Sequence, residues 1–306
     1  MLHRRITSLV LMNLGVLAAC KAGEGAPPAE GSSPTASASV TASASASASA
    51  SASASASASA SASVLGKTCR TAADCPGAYC ALDFDGASFS KTGTCVAQRP
   101  TYKGRPLVVS GEAHVAVVRG AGSDRPKVVR LRESALEEHA SIGAFARTIC
   151  ELMALGAPSW LVSLTTQAMA DEIRHTDDTF AWVERLGGGS FRPGPLAAAV
   201  AHLRSGPGAA AELYRDVFRG GAVGETLAAA HADEESRATD DPELRAFHAG
   251  IAEDEARHAA LAFRTLRWLV ETFPDLAAVR DAEVASFRAS ASRDARSLVD
   301  PLLSVL

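Results

Sequence analysis

The sequence of 306 residues predicts an all-α fold: a four-helix bundle with one extra C-terminal helix, preceded by a disordered Ser/Ala-rich linker and a small disulfide-rich module. Three observations carry this prediction. Aromatic residues make up only 5% of the chain and Ala is frequent after residue 130, a composition that favours helix over sheet. From Arg130 onward apolar residues recur at the spacing of a buried helix face. The pentad Asp-Glu-x-Arg-His is written twice, at 171–175 and at 254–258, and a Glu and a His three positions apart on a helix share one face. The net charge of −4, without any basic run, excludes a nucleic-acid surface.

Residues 1–20 read as a signal peptide. Met1 to Arg5 carries two Arg, Ile6 to Val16 is apolar but too short to span as a mature helix, and Leu17-Ala18-Ala19-Cys20 stands at the small-residue cleavage position. That ending resembles the bacterial lipobox, in which the Cys is lipidated and becomes the new N-terminus; an ordinary secretory signal is the alternative. The resemblance implies a lipid on Cys20 and a chain exported and anchored in the cell envelope. Lys21, where an Asp would retain the chain at the inner membrane, favours the outer membrane.

Residues 21–66 are rich in Gly, Pro, Ser and Ala and settle into a Ser-Ala alternation from Thr35 to Ser63. Neither face of that alternation carries anything worth burying, so the ordering entropy is not offset and the stretch is expected to stay disordered. It serves as a tether reaching on the order of 35 to 40 Å, or it is low-complexity sequence of no specific use. Residues 67–98 hold Cys69, Cys75, Cys80 and Cys95 among turn-forming residues. Behind an export signal these read as two disulfides with three open connectivities. Zinc is the alternative, although the spacing lacks Cys-x-x-Cys pairs. Within residues 99–129, Leu107 to Val109 and Val115 to Val118 alternate around Ser110-Gly111-Glu112 and suggest a connecting hairpin.

Helices follow over residues 130–290, with 291–306 left as a C-terminal tail. Ser134 to Glu137 reads as a capping box, and Ile142, Phe145, Ile149 and Leu152 mark an apolar face up to Gly156 and Pro158. Glu137 then has a capping role, whereas Glu138 is in phase with the apolar face and points inward. The second helix runs from about Pro158 to Arg185 and carries the first pentad. A short helix over 195–203 leads to a third, from about Gly208 to Ala238, in which Gly220, Gly221 and Gly224 precede Glu225 and announce a kink, a bulge or a close neighbour. Asp241 caps the fourth, which carries the second pentad to about Thr272, and a last amphipathic helix covers about Asp275 to Ala289. Of the remaining side chains, Cys150 is expected to be small and buried, His248 shares the face of Glu255, and 233–235 read as a solvated face.

Two halves now match: an inward Glu, a turn, then Glu-x-x-His, with 34 positions from Glu138 to Glu172 and 30 from Glu225 to Glu255. Residues 130–272 resemble the ferritin-like superfamily, and Glu225 with Asp254-Glu255-x-Arg257-His258 resembles the Glu…Asp-Glu-x-Arg-His pattern of di-iron monooxygenases and acyl-carrier-protein desaturases. Glu138-His139-Ala140-Ser141-Ile142 and Gly224-Glu225-Thr226-Leu227 also resemble ferritin-like proteins of exporting bacteria. The resemblance implies a ferritin-like four-helix bundle with Glu138, Glu172, His175, Glu225, Glu255 and His258 as ligands of two Fe ions, or of Mn. It also implies Asp171, Arg174, Asp254 and Arg257 as a supporting network around the imidazoles. Four carboxylates would then balance two divalent ions, and mixed oxygen and imidazole donors suit Fe or Mn better than Cu(I).

What this implies for function is an oxidoreductase that activates O2 or peroxide, ferroxidase or peroxidase-like, with ferrous iron or a small molecule as the reductant or substrate. The alternative is a metal-binding or iron-sequestering protein without turnover. Export argues against partners found only in the cytoplasm, including tRNA and acyl-carrier substrates, and no Cys-x-x-Cys pair marks a rubredoxin-type electron donor.

Overall fold

The computed structural model describes residues 2–21, 67–69, 79–84, 89–96, 104–109, 112–123, 125–196 and 203–306, and these are mostly helical. The linker expected over 21–66 lies outside the described residues apart from Lys21, as does most of the short helix expected over 195–203. Helix α1 (Leu2–Lys21) packs against helices further along the chain, with Ile6 and Val10 fully buried, and Arg5 pairs with Asp233 at 2.7 Å. Asp233, expected on a solvated face, is therefore buried beneath α1. Among the described residues no helix is long and apolar enough to cross a membrane.

Strands β1 (Thr68–Cys69), β2 (Tyr79–Phe84) and β3 (Phe89–Val96) form an antiparallel sheet in the order β1-β3-β2, with Cys80 across from Cys95. The side chains of the four cysteines expected in disulfides lie outside the described residues. The expected hairpin is present as β4 (Leu107–Val109) and β5 (Glu112–His114). Its predicted second arm instead continues into β6 (Val118–Gly122), which leaves the hairpin and pairs with β7 (Gly189–Pro193), the segment that follows the second long helix. Backbone approach explains the glycines here: a Cβ on Gly122 would collide with the Gly188 carbonyl.

Helix α2 (Pro126–Ala154) begins earlier than the sequence suggests, with Pro126 in its first turn, so Ser134 and Glu137 lie inside the helix and form no capping box. Val128 and Leu131, buried on the same face as Ala135, extend the apolar stripe back to that proline. The helix ends before Gly156, whose φ of +75° suits glycine, and α3 (Ser159–Arg185) returns along α2. The expected third helix is three segments: α4 (Ala209–Asp216), a π-helical stretch Val217–Gly224, and α5 (Glu225–Ala238). Helix α6 (Pro242–Thr272) packs on α5, and the Asp241 side chain accepts from the amides of Glu243 (2.9 Å) and Leu244 (3.1 Å), as the cap predicts.

A 3-10 turn (Pro274–Leu276) leads into α7 (Ala277–Ser290). The stretch read as a C-terminal tail forms another helix, α8 (Arg293–Leu303), capped by Ser292 and burying Leu298, Val299, Leu302 and Leu303 against α1 and α5. Its four apolar side chains share one stripe, which gives a short helix enough buried area to hold. The main core joins α1 to α8 through residues such as Phe145, Leu161, Phe218, Phe263 and Leu266.

Candidate metal centre

Six side chains from four helices meet in one buried place. Glu138 comes from α2, Glu172 and His175 from α3, Glu225 from the first position of α5, and Glu255 and His258 from α6. Ligand atoms of Glu138, Glu172, His175 and Glu255 all lie within 4.8 Å of one another, and so do those of Glu172, Glu225, Glu255 and His258. Each group could hold a metal ion. Glu172 and Glu255 belong to both groups, which is the position of bridging carboxylates.

The donor set fits a metal better than it fits itself. Glu172 is 1% exposed, yet both of its carboxylate oxygens lack a hydrogen-bond partner, as do Glu255 Oε2, His175 Nδ1 and His258 Nδ1. His258 Nδ1 lies 3.0 Å from Glu172 Oε1, and His175 Nδ1 lies 3.5 Å from Glu255 Oε1, without the alignment of a hydrogen bond. Buried polar atoms that converge without partners mark a place where something else completes the bonding. Oxygen and imidazole donors together suit a divalent ion of borderline or hard character.

Electrostatics favour the same conclusion. Burial pushes the carboxyls of Glu172 and Glu225 well above the usual range, and the neighbouring carboxylates push them further. Glu255 goes the other way: burial opposes its charge, but the His175 and His258 imidazoles outweigh burial and hold it low. Burial likewise opposes charge on His258, and Asp171, Glu172 and Glu255 overcome it and raise its pKa well above the ordinary value.

The outward nitrogens of the two imidazoles are held crosswise. His175 Nε2 meets Asp254 Oδ2 at 3.0 Å and His258 Nε2 meets Asp171 Oδ2 at 3.2 Å, so each pentad's Asp serves the other pentad's His. Helical spacing alone would set each Asp against the His four positions on in its own helix; the rings instead turn Nδ1 inward, which aims Nε2 at the facing helix. Arg174 bonds both Asp171 (2.7 Å) and Asp254 (2.6 Å), and Arg257 reaches Asp171 at 3.3 Å, closing the network on the surface. Partners of this kind fix the tautomer and typically change metal affinity about 10–100-fold. Asp254→Asn is therefore expected to weaken binding at the His175 group by about that factor with little effect on folding, read by competition titration against a chelator.

One neighbour escaped the sequence reading. Arg105, in the loop before β4, is 6% exposed, with its Nε 3.3 Å from Glu225 Oε1 and its guanidinium 4.2 Å above the Phe145 ring. Its only advance signal was the glycine cluster that makes room for it. The Gly104 amide donates to the Gly224 carbonyl at 3.0 Å, and a Cβ on Gly224 would run into the Gly104 carbonyl. A Cβ on Gly221 would meet the Arg105 guanidinium and come within 2.7 Å of Ala262 Cβ. Gly221→Ala is expected to lose about 1–3 kcal/mol by overpacking, measured by thermal unfolding. The wide π-helical turn thus sets Glu225 beside both the loop and the carboxylates.

A cavity of about 370 Å³ runs from Glu138, Glu225 and Glu255 past Thr179, Phe247 and His248 to the surface between α2 and α5. His248, on the predicted face, thus lines the approach and belongs to neither ligand group. Cys150 is exposed and free, contrary to expectation, because it falls on the outer side of α2.

No protein-family model matches the chain, and neither does any curated protein or solved structure.

Proposed function

We propose that the four long helices form a ferritin-like bundle around a di-iron or di-manganese carboxylate centre, and that the protein is an oxidoreductase acting on O2 or peroxide at the cell envelope. The single observation that carries this reading is the sharing of Glu172 and Glu255 between two four-residue groups in which both Glu172 oxygens, Glu255 Oε2 and the Nδ1 atoms of His175 and His258 have no hydrogen-bond partner.

Glu138, Glu172, His175, Glu225, Glu255 and His258 would hold the metals, and an iron pair held there would supply electrons to O2 or peroxide. The chain's own residues do the rest. Asp254 and Asp171 hold protons on His175 Nε2 and His258 Nε2, so that Nδ1 stays free to donate inward. Phe145, edge-on to His258 at 5.5 Å, closes one side against water. The cavity beside Glu138 admits a small reactant from the other. The ending Leu17-Ala18-Ala19-Cys20 supports an exported lipoprotein; cleavage there would strip most of α1 from the faces of α6 and α8 that it covers, and a mature N-terminus at a lipidated Cys20, found by mass spectrometry, is the result that this reading requires.

The test of the centre uses the full chain, loaded with Fe(II) without oxygen and then exposed to O2 or peroxide. About two Fe per chain and a near-ultraviolet band growing on oxidation are expected. Less than one Fe per chain, with Glu172→Ala no different from the parent, overturns the site. Fe bound without oxidation turns the reading to a metal-binding or iron-sequestering role.

A further inference from the structure

We infer that Arg105 makes the two metal positions unequal, so that the position formed by Glu138, Glu172, His175 and Glu255 fills first and the one formed by Glu172, Glu225, Glu255 and His258 fills second. The inference rests on the metal-centre reading above. The repeated pentads alone would predict two equivalent positions, because each half supplies one Glu and one Glu-x-x-His. Arg105 lies outside both halves and breaks that equivalence.

The geometry is one-sided. The Arg105 guanidinium is buried, sits over Phe145 and bonds Glu225 Oε1, and Glu225 offers one carboxylate oxygen to the second ligand group. Glu225 enters only the second group, so only that group carries a fixed cation on one of its ligands. The matching carboxylate of the first half, Glu138, has the His175 imidazole at 3.6 Å and, among the described residues, no guanidinium paired with it. Arg105 cannot drift away. Its own carbonyl accepts from Ser141 Oγ at 3.0 Å, and the Gly104 amide before it is tied to the π-helical turn at Gly224.

Two effects of Arg105 oppose each other, and their magnitudes decide the sign. By orienting Glu225 it assists binding, an effect of about 10–100-fold for residues supporting a ligand. By placing a positive charge one carboxylate away from a divalent ion it opposes binding; at an effective dielectric of about 20 and a separation of about 6 Å that repulsion is worth roughly a thousandfold or more. Repulsion wins, and the second position is the weaker. The same bond occupies one lone pair of Glu225 Oε1, whereas both Glu172 oxygens and Glu255 Oε2 have no hydrogen-bond partner. Arg105 is therefore a positioning residue: it touches no metal and acts through Glu225.

The test is a stepwise titration of the full chain with Co(II), whose visible absorption reports each occupied position. Two resolved steps are expected, the second weaker. Arg105→Met, which keeps the length and the contact with Phe145 but removes the charge, is expected to tighten the second step by about 10–100-fold and leave the first unchanged. Arg105→Lys restores the charge and should keep the two steps apart. Glu225→Gln is expected to remove the second step and spare the first. Two steps of equal affinity in the parent chain, or a separation that survives in Arg105→Met, overturn the inference while leaving the metal centre standing. Failure of the parent to take up any Co(II) defeats the metal centre itself. Should Arg105→Met not fold, Arg105→Gln takes its place, and the step ratio of the parent already decides the first point.

Discussion

Glu255→Gln is expected to abolish stoichiometric metal binding at both positions, whereas Glu138→Gln and Glu225→Gln each remove one. The reason is that Glu255 lies in both groups of ligand atoms and the other two in one each. Removing one partner from a buried charge assembly typically costs about 3–5 kcal/mol, which is about 10²–10⁴-fold in affinity. Glu172→Gln should match Glu255→Gln in binding, since it too is shared, but the two part on stability. The Glu172 carboxyl is pushed toward its neutral form by burial and by the Glu255 and Glu138 carboxylates, so a neutral amide is expected to replace it at little cost. Glu255 is held ionised by His175 and His258, and its replacement leaves both imidazoles short of a counter-charge. Metal-free Glu255→Gln is expected to melt lower than its parent, and Glu172→Gln at the same temperature or higher. Retention of two metals per chain by Glu255→Gln defeats the shared-ligand assignment.

The second large effect is on pH. Metal affinity should rise as pH climbs above the ordinary carboxyl and imidazole values of 4.5 and 6.5, because ions must displace protons from Glu172 and Glu225, favoured there by burial and by neighbouring carboxylates, and from His258, favoured there by Asp171, Glu172 and Glu255. A rise of about one to two log units in the binding constant per pH unit is expected, measured by chelator competition. The metal-free fold runs the opposite way. Groups whose folded pKa is raised stabilise it fully below their unfolded values, ordinarily 4.5 for a carboxyl and 6.5 for an imidazole, and less as pH climbs through the folded ones. Asp171 adds an acid limit: held down to about 2 against burial, chiefly by His258, it gives stability above its ordinary 3.8 that is lost as pH falls toward 2. The gain in melting temperature on metal addition should therefore grow with pH, reaching about 5–10 °C at a hundredfold excess over the dissociation constant. A gain that shrinks between pH 6 and 8 contradicts the proton displacement.

What the residues disclosed follows the range of the interactions involved. Glu172 with His175, and Glu255 with His258, are local pairs on single helices, and the Asp241 cap is a contact between neighbours in sequence, so pattern alone places them. Glu138 was separated from Glu137 by helical phase, although the capping argument behind it fails because α2 begins at Pro126. The glycines before Glu225 signalled a close neighbour without saying which, since Arg105 comes from 120 positions away and no periodicity connects the two. The crossing of Asp171 and Asp254 was equally out of reach: it depends on how α3 faces α6, which side-chain spacing along one helix does not encode.

That crossing ties the two halves of the chain into a coincidence detector. Neither hairpin of helices holds a finished site, because each contributes an imidazole whose outer nitrogen is steadied only by the other's carboxylate. A half that has folded but not docked offers one Glu and one Glu-x-x-His to solvent and competes poorly for any ion. On the proposed metal-centre reading, capture would report that the opposing helices have met, and a chain whose halves have not docked would stay empty.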